Sequence, residues 1–228
     1  MTGPDQGRLH PPYANHAGPR HPFCVRKARI SDAAAIALLA HAAGGDVLQF
    51  ILGGLSQSAA ALDVYHEMVC EPGGIYSFER CVVAVAGNAV VGMANAFPAG
   101  LIHNEYPVRS PTSRDVLLKP RFELNDWKSY LLNNICVGPD HRREGVGTAL
   151  LKAVVRDARR QGHASLTLHV WADNHGAVAF YRRFGFRQRG RAPIPWHIDL
   201  PHEGGSLLMK LPLRTVPDVP AFQDEDHP

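Results

Sequence analysis

The residues best placed to do chemistry run from Ile135 to Thr148, in the order Ile-Cys-Val-Gly-Pro-Asp-His-Arg-Arg-Glu-Gly-Val-Gly-Thr. An apolar run ends at Val137, and beyond Gly147 the residues Leu150, Leu151, Val154, Val155 and Ala158 fall on one helical face. Gly145 and Gly147 at the helix start let a ligand approach the backbone without meeting a Cβ. The unpaired N–H groups of a first turn, aided by roughly half a positive charge from the helix dipole, favour an anion there. Arg142 and Arg143 add charge, and a pyrophosphate is the natural occupant. The same residues also read as a relaxed helix start with two solvated arginines. Two commoner nucleotide motifs are excluded. The dinucleotide fingerprint needs a third glycine where Leu150 stands, and a Walker A loop needs Gly-Lys-Ser/Thr, which the chain lacks.

Other reactive side chains give weaker patterns. Cys24, Cys70, Cys81 and Cys136 form no Cys-x-x-Cys pair, so neither a disulfide framework nor a zinc site is expected. They read as buried thiols. The 13 histidines never fall at the spacing of a helical metal pair, and no metal is expected.

Elements must position the turn. A strand is expected over 25–30, then a helix capped by Ser31-Asp32, a second helix stopping at Gly53-Gly54, and a third over 58–70. Two β-rich runs, 81–86 and 89–96, flank Gly87-Asn88, a hairpin signal. The stretch 98–127, broken by Pro107, Pro111 and Pro120, reads as a long ligand-touching connection. Then come a strand over 130–137, the glycine turn, a helix over 147–161, a strand over 165–171, a helix over 175–184 ended by Gly185, and a last strand over 206–211. This order implies an α/β (α+β) domain around one mixed sheet.

The bulk properties bound the partners. The chain has 228 residues, 24 Lys plus Arg, 21 Asp plus Glu and 45% hydrophobic residues, which suits one compact domain. No basic block marks a nucleic-acid or membrane surface, and no apolar run approaches a bilayer span of ~20 residues. A cytoplasmic protein is expected. Residues 1–24 are rich in proline and glycine and 214–228 end in an acidic cluster, so both are expected to be disordered arms around a body at 25–213.

The strand, the Arg142-x-x-Gly145-x-Gly147 turn and its helix resemble the acyl-CoA signature of the GNAT superfamily of N-acyltransferases. The resemblance continues through 174–186, which matches that family's Asn-x-x-Ala-x-x-x-Tyr-x-x-x-Gly-Phe pattern in register. It covers about 131–211; the first half agrees only in the order strand, helices, hairpin.

The resemblance implies a single GNAT-like domain with a central mixed, mostly antiparallel sheet, flanked by helices and splayed at the acyl-CoA site. It implies acetyl-CoA as co-substrate, its pyrophosphate on the amides of Arg142, Arg143, Glu144, Gly145, Val146, Gly147 and Thr148. The pantetheine arm would lie beside Ile135, Cys136 and Val137. Asn174 would anchor the second wall of the opening, or act as a helix N-cap, or both. Tyr181 would be the general acid toward the departing thiolate, where spacing alone equally allows an aromatic packing role. Arg182 and Arg183 would reach the cofactor's outer phosphate or face solvent.

A small-molecule or peptide amine is the implied acceptor, with no nucleic acid or membrane partner and a homodimer compatible. Such an amine must lose a proton before attack, and Glu123, Asp126, His169 or water could take it. Cys136 could instead accept the acyl group in a two-step route, although no histidine flanks it. The acceptor pocket is expected among the early helices, 98–127 and 189–205, where Glu105, Asp115, Glu123, Asp126, Asp199 and Glu203 accompany Tyr106, Trp127 and Trp196. Acid plus aromatic would suit a cationic amine. The alternative from another class is a non-catalytic acyl-CoA-binding sensor or interaction module.

Overall fold

The computed structural model describes residues 22–52, 60–102 and 113–213. They hold strands β1 (Cys24–Lys27), β2 (Cys81–Ala86), β3 (Ala89–Pro98), β4 (Tyr130–Val137), β5 (Ser165–Trp171), β6 (Arg187–Ala192) and β7 (Ser206–Pro212). The helices are α1 (Ala33–Leu52), α2 (Ala61–Cys70), α3 (Ser113–Glu123), α4 (Val146–Arg160) and α5 (His175–Phe184). One sheet runs in the order β1-β2-β3-β4-β5-β7-β6. Only β4 and β5 pair in parallel. This is the mixed, mostly antiparallel architecture that the resemblance implied.

Side-chain alternation along the strands builds two cores. On one face, Leu132, Leu166, Leu168 and Met209 meet Leu150, Leu151 and Val154 of α4 and Tyr181 of α5. On the other, Cys81, Val83, Met93 and Cys136 meet Ile36 and Ala40 of α1 and Tyr65 and Val69 of α2. Each large apolar side chain so buried contributes about 1.5–3 kcal/mol relative to exposure.

The feature that positions the candidate site lies between β4 and β5. Their pairing is confined to Tyr130 with Leu166, Leu131 with Thr167 and Leu132 with Leu168. Both strands run on, to Val137 and Trp171, without each other. The separation coincides with a bulge: Asn95 of β3 faces Asn134 while Ala96 faces Leu132, leaving Asn133 as the extra residue. An inserted residue bends its strand, and here β4 bends away from β5. The sheet forks at Asn133 and His169.

Several elements differ from expectation. The two helices expected before Gly53 are one, α1, which continues through Gly44 and Gly45 because alanine-rich flanks keep helix propensity high. The connection 98–127 contains α3, hidden by Pro120 and by arginines at its inward positions. β6 was not anticipated: Arg-Gln-Arg-Gly-Arg-Ala has no apolar alternation and is held by pairing with β7, a charged edge strand. β1 opens at Cys24, one residue inside the expected arm. Residues 1–21 and 214–228, which include nearly all of the two expected arms, lie outside the described residues, as do Glu105 and Tyr106.

Candidate active site

The turn after β4 is built from backbone geometry. Gly138 N–H returns to Val91 O at 2.8 Å, a 3-10 turn spans Pro139–His141, and the chain then enters α4 through two left-handed residues, Arg143 (φ 66) and Gly145 (φ 87). Left-handed backbone is strained for arginine and natural for glycine, and a Cβ at Gly145 would meet nothing within 4 Å. The amides of Arg143, Gly145, Val146, Gly147 and Thr148 donate to no described residue, and the first helical bond is Ala149 N–H to Gly145 O at 3.0 Å. Successive unpaired N–H groups in such a turn form an anion-binding concavity. The Glu144 carboxylate points to His141 Nδ1 at 3.3 Å, so a role for Glu144 here rests on its amide.

β4 offers its open edge to the same space. Because Gly138 N–H points to β3 and alternate residues of a strand aim their backbone groups to opposite edges, Val137 and Ile135 turn theirs toward the fork. Consistently, Val137 O accepts from Arg142 Nε at 3.3 Å rather than from β3. An added Cβ on Gly147 would lie 3.7 Å from both Val137 Cγ2 and Phe180 Cζ, which places the start of α4, the end of β4 and α5 at one point.

Phe180 leads to Tyr181, whose ring is 5.3 Å away, and Tyr181 packs edge-on to Phe186 at 5.7 Å. The packing role allowed by spacing is thus real. Burial pushes the phenol's pKa upward, so it is fully protonated near neutrality. Its hydroxyl has no partner among the described residues and is not one of the fully occluded polar atoms, which leaves a protonated donor at the edge of the apolar core. Asn174 caps α5, its Oδ1 accepting from Ala177 N–H at 3.1 Å. The side chain is exposed, and its amide group makes no bond to a described residue, so the N-cap role leaves Nδ2 available. Arg182 and Arg183 face solvent.

Cys136 is buried and its thiol is pushed upward by burial, which removes the thiolate a two-step route needs. The three residues weighed as a base separate clearly. Glu123 is exposed and pairs with Lys119 at 3.6 Å, and Asp126 is tied to Lys210 Nζ at 2.6 Å. His169 alone lies at the fork. Asn125 Nδ2 donates to Phe122 O at 2.8 Å, so its Oδ1 accepts from His169 Nε2–H at 3.1 Å, leaving Nδ1 to face the Ser206 hydroxyl at 3.4 Å. Burial, together with the Arg121 guanidinium, lowers the imidazole to about 3, and it is neutral at pH 7.

Asp199 and Glu203 are exposed, as is Trp196, so the acid-and-aromatic wall is not assembled from them. The aromatic residues gathered beside α3 are instead Phe50 and Trp171, against Leu118, Ile194 and Leu200. They carry arginines rather than acids: Arg114 lies over Phe50 at 5.2 Å and Arg121 over Trp171 at 5.5 Å. Nothing in apolar periodicity would have found them; the signal was the i, i+3, i+4, i+7 spacing of Arg114, Leu117, Leu118 and Arg121. Among the described residues no cluster of metal-ligating side chains exists, and no helix is long and apolar enough to cross a membrane.

A sheet forked between two parallel strands, with a glycine turn at the head of the following helix, defines the GNAT fold class. The chain belongs to the Acetyltransferase (GNAT) family, whose model matches residues 58–186. It is 42% identical over 57 residues to the Escherichia coli [Ribosomal protein bS18]-alanine N-acetyltransferase, a stretch covering 25% of this chain and 38% of that one. The chain thus spans well under half the length of the first curated relatives it matches. Among solved structures, an N-acetyltransferase from Staphylococcus aureus Mu50 is similar with a TM-score of 0.62 at 17% identity, covering 82% of this chain and 100% of that one. The Salmonella typhimurium protein yncA, solved with its cofactor acetyl-CoA, is similar with a TM-score of 0.55 at 16% identity, covering 84% of this chain and 94% of that one.

Proposed function

We propose that this protein transfers an acetyl group from acetyl-CoA to a primary amine by direct attack through a tetrahedral intermediate. The observation that carries the reading is the fork, where the outward backbone edge of Ile135 and Val137, the amides of Arg143, Gly145, Val146, Gly147 and Thr148 that donate to no described residue, and the protonated Tyr181 converge. The pyrophosphate of acetyl-CoA rests on those amides, with Arg142 and Arg143 beside it, and the pantetheine arm runs along the open edge of Ile135, Cys136 and Val137. A strand amide there donates to the thioester oxygen as it gains charge. Holding amine and thioester together in the fork supplies proximity. Tyr181 gives its proton to the departing CoA thiolate, and Asn174 Nδ2 borders the opening.

The amine loses its proton to water. The His169 imidazole is too weak a base to hold that proton at pH 7, and its two ring nitrogens already face Asn125 and Ser206. The weakness of any base at the fork also favours a second reading, a non-catalytic acyl-CoA-binding module. Calorimetric titration with acetyl-CoA, paired with thiol release across an amine panel, tests both. Saturable binding with turnover is expected; binding without turnover for any amine selects the module, and no binding overturns both.

A further inference from the structure

α3 carries charge where an amphipathic helix should carry apolar side chains. Its inward stripe is Arg114, Leu117, Leu118 and Arg121, with the two leucines in the cluster of Phe50, Ile194, Leu200 and Trp171. The Nε atoms of both arginines are fully occluded and unbonded. Neither guanidinium forms a hydrogen bond or ion pair with a carboxylate among the described residues; Arg114 lies over Phe50, and Arg121 lies over Trp171 with Tyr76 as the electrostatic neighbour that favours its charge. Among the described residues, Asp126 is committed to Lys210, Glu123 to Lys119, and Asp173 to His202 at 3.0 Å. Burial lowers Arg121 to about 10, so it is still charged at neutral pH.

A desolvated cation without a counter-ion is unfavourable, and such groups in a folded protein call for an explanation. The cofactor does not provide one. Along β5 the side chains alternate, Val170 toward α4 and Trp171 toward α3, so the phosphate turn and the arginines lie on opposite faces of the sheet. Yet Arg121 is close enough to the fork to depress His169.

We propose that Arg121, with Arg114 behind it, receives a carboxylate carried by the amine acceptor, so that the substrates are amino acids or amino-acid-like compounds rather than simple alkylamines. A guanidinium presents a planar fork that matches a carboxylate in bidentate fashion. The two arginines are two turns apart, about 10 Å along the helix. Arg121 therefore takes the carboxylate nearest the amine, and Arg114 meets a second acidic group on longer substrates. This deepens the acetyl-transfer reading and rests on it.

The experiment compares matched acceptors by CoA thiol release: β-alanine with ethylamine, γ-aminobutyrate with propylamine, and phosphoethanolamine with ethanolamine. The carboxylated member should be preferred, and Arg121→Met should raise its KM roughly 10- to 100-fold with kcat and the plain amine little changed, Arg121→Lys restoring part of the loss. Equal use within the carboxylate pairs, or equal loss on both members in Arg121→Met, overturns the proposal, as does a preference confined to phosphoethanolamine. If no amine turns over while acetyl-CoA still binds, the acetyl-transfer reading fails, and the melting shift caused by glutarate then decides. A shift in the wild type that is absent in Arg121→Met sustains carboxylate binding, and no shift overturns it. Free Arg121→Met should melt about 2–4 °C higher than wild type, since a buried charge with no counter-ion among the described residues is gone; a lower midpoint makes the arginine structural and overturns the assignment.

Discussion

The two sides of the β4–β5 fork are built by different means. On the side of α4 and α5 the side chains are apolar, Val137, Phe180 and Tyr181 among them, and the groups able to hold a ligand are backbone amides fixed by Gly145 and the left-handed Arg143. On the side of α3 the backbone is ordinary helix, and the chemistry lies in side chains, Arg114, Arg121 and His169. A cofactor common to many reactions can be gripped by main chain, which survives sequence change. An acceptor peculiar to one enzyme has to be read by side chains. Variants on the first side should therefore move acetyl-CoA binding and the chemical step, and variants on the second should move acceptor choice.

The largest expected effect belongs to Tyr181→Phe. The ring contacts with Phe180 and Phe186 survive, so the fold and the acetyl-CoA Kd should hold, while kcat falls by about 10²- to 10⁴-fold. Stopped assays of thiol release alongside calorimetry separate the two quantities. An unchanged kcat would confine Tyr181 to packing and erase the chemical half of the comparison.

Gly147→Ala comes next and sharpens it with effects of opposite sign. The added Cβ makes ordinary contact at 3.7 Å with Val137 and Phe180, and alanine in a helix stabilises by about 0.4–1 kcal/mol through the unfolded chain. The melting point should hold or rise. The methyl nevertheless stands where the pyrophosphate must approach, and loss of one good charged hydrogen bond corresponds to about tenfold weaker acetyl-CoA binding. Stability and affinity falling together would mean the glycine serves the fold alone.

How much of this was legible depends on which chemistry carries it. Glycine positions, the Asn174 to Phe186 register and the strands at 130–137 and 165–171 stand in the sequence because backbone conformation and apolar periodicity both leave local marks. β6 left none and α3 only the spacing of Arg114, Leu117, Leu118 and Arg121: their stability comes from neighbours, β7 for β6 and the Phe50 cluster for α3, and their arginines imitate solvent-facing residues. The acidic residues of 98–127 and 189–205 show the same limit of composition. Composition reports that carboxylates are present and not that Asp126 turns to Lys210 or that Asp199 faces solvent. Of three residues weighed as a base, only burial and the fork's position could single out His169.

On the α3 side, His169 gives a pH test. Its imidazole is lowered to about 3 in the folded chain against an ordinary 6.5, so between these values the unfolded chain binds a proton that the folded one does not. Stability is full above about pH 6.5 and falls as pH drops through that window, by about 1.4 kcal/mol per pH unit. Asp32, Asp157 and Asp173, held low by Arg26, by Lys27 and by the Glu203 N–H with His202, act only at more acid pH, which leaves the upper half of the window to His169. His169→Gln should flatten denaturant midpoints between about pH 4.5 and 6.5. An unaltered slope would mean the imidazole is open to water and the fork is wetter than its packing indicates.

Asn174 gives the smallest effect and lies on the boundary between the two sides. Its Oδ1 caps α5 through Ala177 N–H, so Asn174→Ala should cost about 1 kcal/mol of stability. Asn174→Asp keeps the capping oxygen and complements the positive end of the helix dipole, so its stability should match or exceed wild type. It also removes the free Nδ2 donor and puts a negative charge beside the opening of the fork. If that donor serves the bound cofactor, the aspartate variant should be stable yet bind acetyl-CoA less well. If it binds as tightly as wild type, Asn174 is a cap and nothing more, and the backbone grip on the cofactor then ends at α4.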